Sequence, residues 1–329
     1  MLKNKMKFIR KYIELFDTII IHSHKNPDGD SYGSQLGLKN IIETNYPEKK
    51  VYSVGEVNNN LSFLGKMDII NDNFYKNALV FVVDCGQSNV ISDLRYKLGK
   101  KIIRIDHHLL IENFGDHQWV DSSFSSCSEM IYSFKEKNDF KITRKGALPL
   151  YVGMVTDTGN FRFERVNEKT LRIASELLSY GINIFEIDKK INIQSLNILR
   201  YQGYVLNNFI AEKGFIYFKT TISEVEKFNL TIEKAFSIVN VLNNVENYPV
   251  WAFIIQLSNG NWKLSIRSLG PKIDDIANKF GGGGHFRACG VIVKTKEEVD
   301  KIIILLQKSI SDYLKKNNNK FLRSKNVFK

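Results

Sequence analysis

Apolar residues recur along the chain in two rhythms. Short continuous runs such as Thr18-Ile19-Ile20-Ile21 and Ala78-Leu79-Val80-Phe81-Val82-Val83 are rich in β-branched residues. Such runs suit strands buried on both faces of a parallel sheet. Residues 50–54 and 101–105 read as two more strands. Between and after them, residues 31–42, 146–155 and 167–180 carry helical spacing, and further helical segments run to about residue 206. Strands separated by helical connectors predict an α/β class with a doubly wound, mainly parallel sheet. From about residue 208 the pattern changes. Residues 215–220 form a strand candidate. Residues 251–257 and 262–267 flank Ser258-Asn259-Gly260-Asn261, a hairpin signal. Short and long helices are expected at 272–280 and 297–314. The expected organisation is a first domain over 1–190, a helical linker over 191–210, and a smaller α/β domain over 211–329 ending in a Lys/Asn-rich tail.

Composition changes this picture only in part. The 329 residues are 43% hydrophobic and 25% charged, enough to bury two proper cores. The net charge of +12, from 47 basic and 35 acidic residues, would draw an anionic substrate. Abundant surface lysine explains it equally well. Cys85, Cys127 and Cys289 are odd in number and lack C-x-x-C spacing, which argues against a disulfide framework or a cysteine zinc site. Residues 1–16 read as an amphipathic helix and not a signal peptide. No apolar run approaches the ~20 residues of a membrane span. A soluble, reducing, cytoplasmic setting is expected.

The candidate chemistry gathers where strands end. His24-Lys25-Asn26-Pro27-Asp28-Gly29-Asp30 lies between the first strand and a helix, at the usual ligand edge of an open α/β sheet. Carboxylates this close repel unless a cation sits between them, and an imidazole beside them suits zinc, manganese or iron better than calcium. An ordinary polar turn with an Asx cap accounts for the same residues. Asp84 ends the second apolar run, and Asp106-His107-His108 ends the strand at 101–105. Asp157 precedes a glycine turn in which Arg162 stands between Phe161 and Phe163; Arg162 could meet phosphate, or the turn could be a capped loop with packed rings. Ser126-Cys127-Ser128-Glu129 fits a capping box, which is enough to explain Glu129. His22 reads as structural or supporting, and His117 as surface or core. In the second domain Gly281-Gly282-Gly283-Gly284-His285 would bare backbone N–H groups that can cradle an anion.

The order His-x-x-x-Asp-x-Asp, Val-Asp, Asp-His-His, Asp-Thr-Gly and Gly-Gly-Gly-Gly-His resembles the DHH phosphoesterase superfamily. It is most similar to the nano-RNase and pAp phosphatase group, with a DHH-associated second domain. The resemblance implies two divalent metal ions, typically manganese. His24, Asp28 and Asp84 would hold one, and Asp30, Asp84, His107 and Asp157 the other, with Asp84 bridging. It further implies that His108 faces the substrate phosphate and that Asp106 orients a ligand histidine. Arg267, His285 and the glycines 283 and 284 would hold the substrate's phosphate or terminal nucleotide, with Arg162 as a further candidate. Cys85-Gly86-Gln87 departs from the run expected after Asp84 in that group. The implied activity is hydrolysis of short RNA or DNA oligonucleotides, and of 3′-phosphoadenosine 5′-phosphate. Cyclic dinucleotide hydrolysis and a non-enzymatic RNA-binding module are the alternatives; a family-II pyrophosphatase lacks the glycine-histidine loop. A homodimer is possible, and no membrane partner is expected.

Overall fold

The computed structural model describes residues 2–325, and within them the side chains of residues 6–284 and 286–316. The chain divides into two compact units, Met1–Ile193 and Gln194–Lys329.

The first unit is built on helix α1 (Leu2–Leu15), strand β1 (Thr18–His22), helix α2 (Gly29–Asn45) and strands β2 (Lys50–Ser53), β3 (Leu79–Val83), β4 (Lys101–Asp106) and β5 (His117–Val120). Helices α3 (Cys127–Lys137), α4 (Arg144–Asp157), α5 (Glu168–Leu178) and α6 (Ile184–Ile191) follow. The sheet runs β2-β1-β3-β4-β5 and is parallel throughout. The period-two geometry of a strand sorts its residues onto two faces. Ile19, Ile21, Leu79, Phe81 and Val83 join the helices in the larger core. Ile20, Val80 and Val82 face Tyr75, Ala78 and Tyr96 in a smaller one. That second face is covered by short 3₁₀ turns at 72–75 and 94–98, not by long helices. β2 lies on one side of β1 and β3 on the other. The strand order therefore reverses beside β1, and such a switch point opens a crevice at the carboxyl ends of the strands.

Helices α2 and α4 pack very closely. A Cβ added to Gly33 would lie 2.4 Å from the Pro149 carbonyl oxygen, one at Gly37 2.4 Å from Leu150, and one at Gly29 2.2 Å from Thr156 Oγ1. These glycines, spaced four apart, share one helix face. Helix α1 is tied to β5 by Tyr12, whose hydroxyl lies 2.7 Å from His117 Nε2. His22 is fully buried, 3.1 Å from the Tyr75 hydroxyl.

The second unit holds helix α7 (Leu196–Asn208), strands β6 (Ile210–Glu212) and β7 (Phe215–Thr221), helices α8 (Ile222–Glu226) and α9 (Ile232–Ser237), strands β8 (Val250–Gln256) and β9 (Trp262–Ser268), helix α10 (Asp274–Lys279), strands β10 (Gly283–His285) and β11 (Ala288–Val293), and helix α11 (Lys296–Lys325). Its mixed sheet runs β10-β11-β9-β8-β7-β6, with only β7 and β8 parallel. Both faces are buried. Val250, Ala252 and Ile254 pack with residues of α10 and α11, and Trp251, Phe253 and Ile255 with residues of α7 and α9. The stretch expected as a linker supplies α7, whose Ile198, Tyr201 and Val205 are buried in this second core. The glycine run is not an open loop. Gly283, Gly284 and His285 pair with Gly290, Cys289 and Ala288, and a Cβ at Gly284 would lie 2.3 Å from the Ala288 carbonyl oxygen.

Candidate metal centre

The switch point gathers the strand-end residues. His24 and Asp28 lie in the turn after β1, Asp30 in the first turn of α2, Asp84 directly after β3, His107 and His108 directly after β4, and Asp157 at the last turn of α4. His24 Nε2 is 3.8 Å from Asp28 Oδ1 and 3.7 Å from Asp84 Oδ2. His107 Nε2 is 3.5 Å from Asp84 Oδ1, 3.3 Å from Asp157 Oδ2 and 3.9 Å from Asp30 Oδ2. His24-Asp28-Asp84 and Asp30-His107-Asp157 each offer ligand atoms within 4.8 Å of one another. A third such group joins Asp84, His107 and His108, but His108 meets Asp84 through Nδ1, and Asp106 Oδ1 already holds that atom at 2.6 Å.

Backbone geometry fixes these groups. His24 Nδ1 lies 2.8 Å from the Lys25 carbonyl oxygen; the proton belongs there, which leaves Nε2 as the electron-pair donor. Asp28 caps α2, accepting from the Ser31 N–H at 2.9 Å, so the Asx cap expected of this turn is present alongside its candidate ligand atoms. Asp30, fully buried, accepts from the N–H groups of Cys127 at 2.6 Å and Ser128 at 2.8 Å, the uncoupled donors that open α3. Asp84 has φ +54°, a left-handed conformation that an aspartate holds at some strain, and such strain gathers at functional sites.

Electrostatics tests whether these residues fit a metal. Burial, then repulsion from Asp84, pushes the Asp30 carboxyl well above the ordinary range. Burial, then the neighbouring Asp30 and Asp84, does the same to Asp157. Burial acts against a charged His24, yet Asp28 and Asp84 outweigh it and push the imidazole up to about 11. Asp84 Oδ1 and His107 Nδ1 are buried without a hydrogen-bond partner. Carboxylates that repel one another around imidazole nitrogens are a donor set short of positive charge, and divalent cations supply it. The residues fit.

Behind His108 stands a buried relay. Burial opposes a charged Asp106, but His108 and then Arg104 hold its carboxyl down at about 2. Arg104 is fully buried, with Nη2 2.6 Å from Asp106 Oδ2 and 2.9 Å from the Gly86 carbonyl oxygen, and Nη1 2.7 Å from that of Glu112. Its guanidinium lies over the Phe114 ring. Asp106 thus orients His108, not one of the expected ligand histidines. The sequence does mark Arg104, as a cation in an apolar strand two residues before Asp106 and so on the same face. Arg165 has no such mark. Its Nη1 lies 3.4 Å from the His107 carbonyl oxygen.

Arg162 is not brought into the cluster. It is exposed and donates from Nε to the Gly159 carbonyl oxygen at 2.8 Å. Ser126 caps α3 by accepting from the Glu129 N–H, but the Glu129 carboxylate turns to Ser125 and Thr170, so the expected box is only half formed. Arg267, in the second unit, donates to Ser265 Oγ and the Ile266 carbonyl oxygen. The His285 side chain lies outside the described residues.

Residues 18–154 match the DHH family N-terminal domain, and residues 215–312 match the DHHA1 domain. The chain belongs to the DHH family. It is 37% identical over 307 residues to a Bacillus subtilis protein named bifunctional oligoribonuclease and PAP phosphatase NrnA, covering 92% of this chain and 97% of that one. A Thermus thermophilus protein of the same name is 30% identical, covering 88% and 89% of the two chains. An exopolyphosphatase-related protein from Bacteroides fragilis, solved as a crystal structure, superposes with a TM-score of 0.83 at 29% identity, covering 94% of this chain and 96% of that one.

Proposed function

We propose that the chain is a two-metal phosphodiesterase and phosphatase. It hydrolyses short oligonucleotides to mononucleotides and 3′-phosphoadenosine 5′-phosphate to AMP. The observation that carries this reading is the pair of His/Asp triads at the switch point, in a chain matching oligoribonuclease and PAP phosphatase relatives over nearly its whole length. His24, Asp28 and Asp84 would hold one ion, and Asp30, Asp84, His107 and Asp157 the other. When bound, two such ions supply a hydroxide nucleophile near neutral pH and positive charge on the phosphoryl oxygens. Mixed imidazole and carboxylate donors favour manganese over calcium.

The chain's own groups do the rest. Asp106, clamped by Arg104, keeps the proton of His108 on Nδ1 and raises that imidazole to about 9 against the effect of burial. Protonated, His108 would donate from Nε2 to a phosphoryl oxygen as charge builds there. Arg165, anchored on the His107 carbonyl, would bind a second oxygen. In the DHHA1 domain Arg267, His285 and the glycines 283 and 284 would take the terminal phosphate. The three free, buried cysteines support a reducing, cytoplasmic setting.

The test is a rate panel on a labelled dinucleotide, a long RNA, 3′-phosphoadenosine 5′-phosphate and cyclic di-AMP, with and without manganese. Fast, manganese-dependent turnover of the first and third is expected, abolished by Asp84→Asn in a chain that still folds. Preference for cyclic di-AMP or long RNA, or full activity in Asp84→Asn, overturns the assignment.

A further inference from the structure

A second site lies away from the metal centre. Between α2, the 3₁₀ turn at 59–64 and the start of α4, the first unit has an open cavity of about 700 Å³. That is within the usual size of small-ligand sites. It lies on α2 beyond the turn that carries Asp30. Lys39 stands nine helical steps beyond Asp30, about 14 Å at the helical rise.

The lining is amphipathic. Leu36, Phe63 and Leu148 give an apolar wall, and Lys66, Arg144 and Lys145 stand exposed at its rim. Among the described residues, none of these three cations has a carboxylate within 4.0 Å. The acids nearby are already engaged: Lys39 holds Asp68 at 2.6 Å and approaches Glu43 at 3.9 Å. Four lining cations against two carboxylates leave a net charge of about +2, to which Lys190, 4.8 Å from the centroid of the Phe63 ring, adds; the excess suits a phosphomonoester dianion. Helix α4 adds to this field. Its N-cap residue, Thr143, makes no capping bond, because the side chain is turned to Asn40, and the first-turn N–H groups of a 14-residue helix favour an anion there.

We infer that this cavity binds a mononucleotide, with its base or sugar on the Leu36, Phe63 and Leu148 wall and its phosphate between Lys66, Arg144 and Lys145. A bare phosphate would leave the apolar wall unused, and a neutral aromatic would leave three cations without a counter-charge, Arg144 meeting only the Gly181 carbonyl oxygen through Nε at 3.3 Å. The site is separate from the reaction centre, and its occupancy does not depend on the proposed hydrolysis.

Photolabelling of the full chain with 8-azido-AMP tests it. Label is expected on the peptides around Phe63 and Leu148, competed by AMP but not by adenosine at equal concentration. It should fall at least about tenfold in Arg144→Glu/Lys145→Glu, and also in Lys66→Glu, with manganese-dependent cleavage of bis-p-nitrophenyl phosphate and the unfolding midpoint unchanged. A tenfold loss corresponds to about 1.4 kcal/mol of binding. Label confined to other peptides, competition by adenosine as strong as by AMP, or unchanged labelling in both variants overturns the inference. Competition by inorganic phosphate alone at the same concentration would reduce the site to an anion hole and also overturn it. Failure of the hydrolysis assay leaves the labelling result standing on its own.

Discussion

Replacing Gly33 by alanine asks whether the close packing of α2 on α4 is what assembles the metal centre. The added Cβ would lie 2.4 Å from the Pro149 carbonyl oxygen and 3.1 Å from Gly153 Cα, where ordinary contact begins at 3.4 Å. Both are backbone atoms, so no side chain can swing away, and the helices must part by about 1 Å. Overpacking of this kind destabilises by about 1–3 kcal/mol, and the better helix propensity of alanine returns about 1. The net loss of stability is about 0–2 kcal/mol. Activity should fall much further. Asp28 and Asp30 travel with α2 and Asp157 with α4, while His107 Nε2 sits 3.9 Å and 3.3 Å from Asp30 and Asp157. A 1 Å misplacement of reacting groups is worth about 10²-fold in rate. The control is Gly203→Ala on α7, where an added Cβ meets nothing within 4 Å; it should stabilise by about 1 kcal/mol and leave the rate alone. Thermal unfolding and manganese-dependent dinucleotide cleavage measure both. A Gly33→Ala protein as stable as the parent, with a rate within about threefold of it, would refute the argument.

Three further outcomes follow from the same geometry. His22 is kept neutral by burial, its pKa pushed down to about 4. Below pH 6.5 the unfolded chain takes up a proton that the folded chain refuses until about pH 4, so stability falls on acidification across that window by up to about 1.4 kcal/mol per pH unit. Urea unfolding at pH 7, 6 and 5 should show a shallower fall in His22→Gln, and parallel curves would remove His22 as the cause. Arg104→Met leaves the buried Asp106 carboxylate with His108 as its remaining partner and should cost about 1.5–3 kcal/mol in thermal unfolding; a variant that melts with the parent contradicts the buried pairing. Arg165→Gln should raise KM for a dinucleotide more than Arg162→Gln does, since only Arg165 reaches the His107 backbone; the reverse ranking in steady-state kinetics would return the phosphate role to Arg162.

The strand-end motifs could be placed from the sequence because the rule behind them is local. A continuous apolar run marks a strand buried on both faces, and a polar residue at its carboxyl end falls at the sheet's open edge. His24, Asp84 and His107 obey that rule. Asp157 does not: it ends a helix, and only the packing of α4 on α2 brings it to His107 Nε2. The glycine run misleads for the opposite reason. Its flexibility suggests a loop, but its lack of a Cβ serves close strand pairing with β11, and partners as near as Gly284 and Cys289 leave no room for a periodic signal. Strand β5 has no sequence signal of its own, since His117-Gln118-Trp119-Val120 is short and half polar, and tertiary packing of Trp119 decides it. The 3₁₀ turns that cover the second sheet face likewise follow no helical spacing.

The Asp30 carboxylate is committed twice. It seals the start of α3 through the Cys127 and Ser128 amides, and it stands within reach of His107 in the triad. Architecture and chemistry therefore cannot be separated by mutation at that position: a knockout there also loosens the scaffold. Any drift in this lineage towards a catalytically silent descendant that persists as a stable protein should start at Asp157, which caps no helix, and reach Asp30 last.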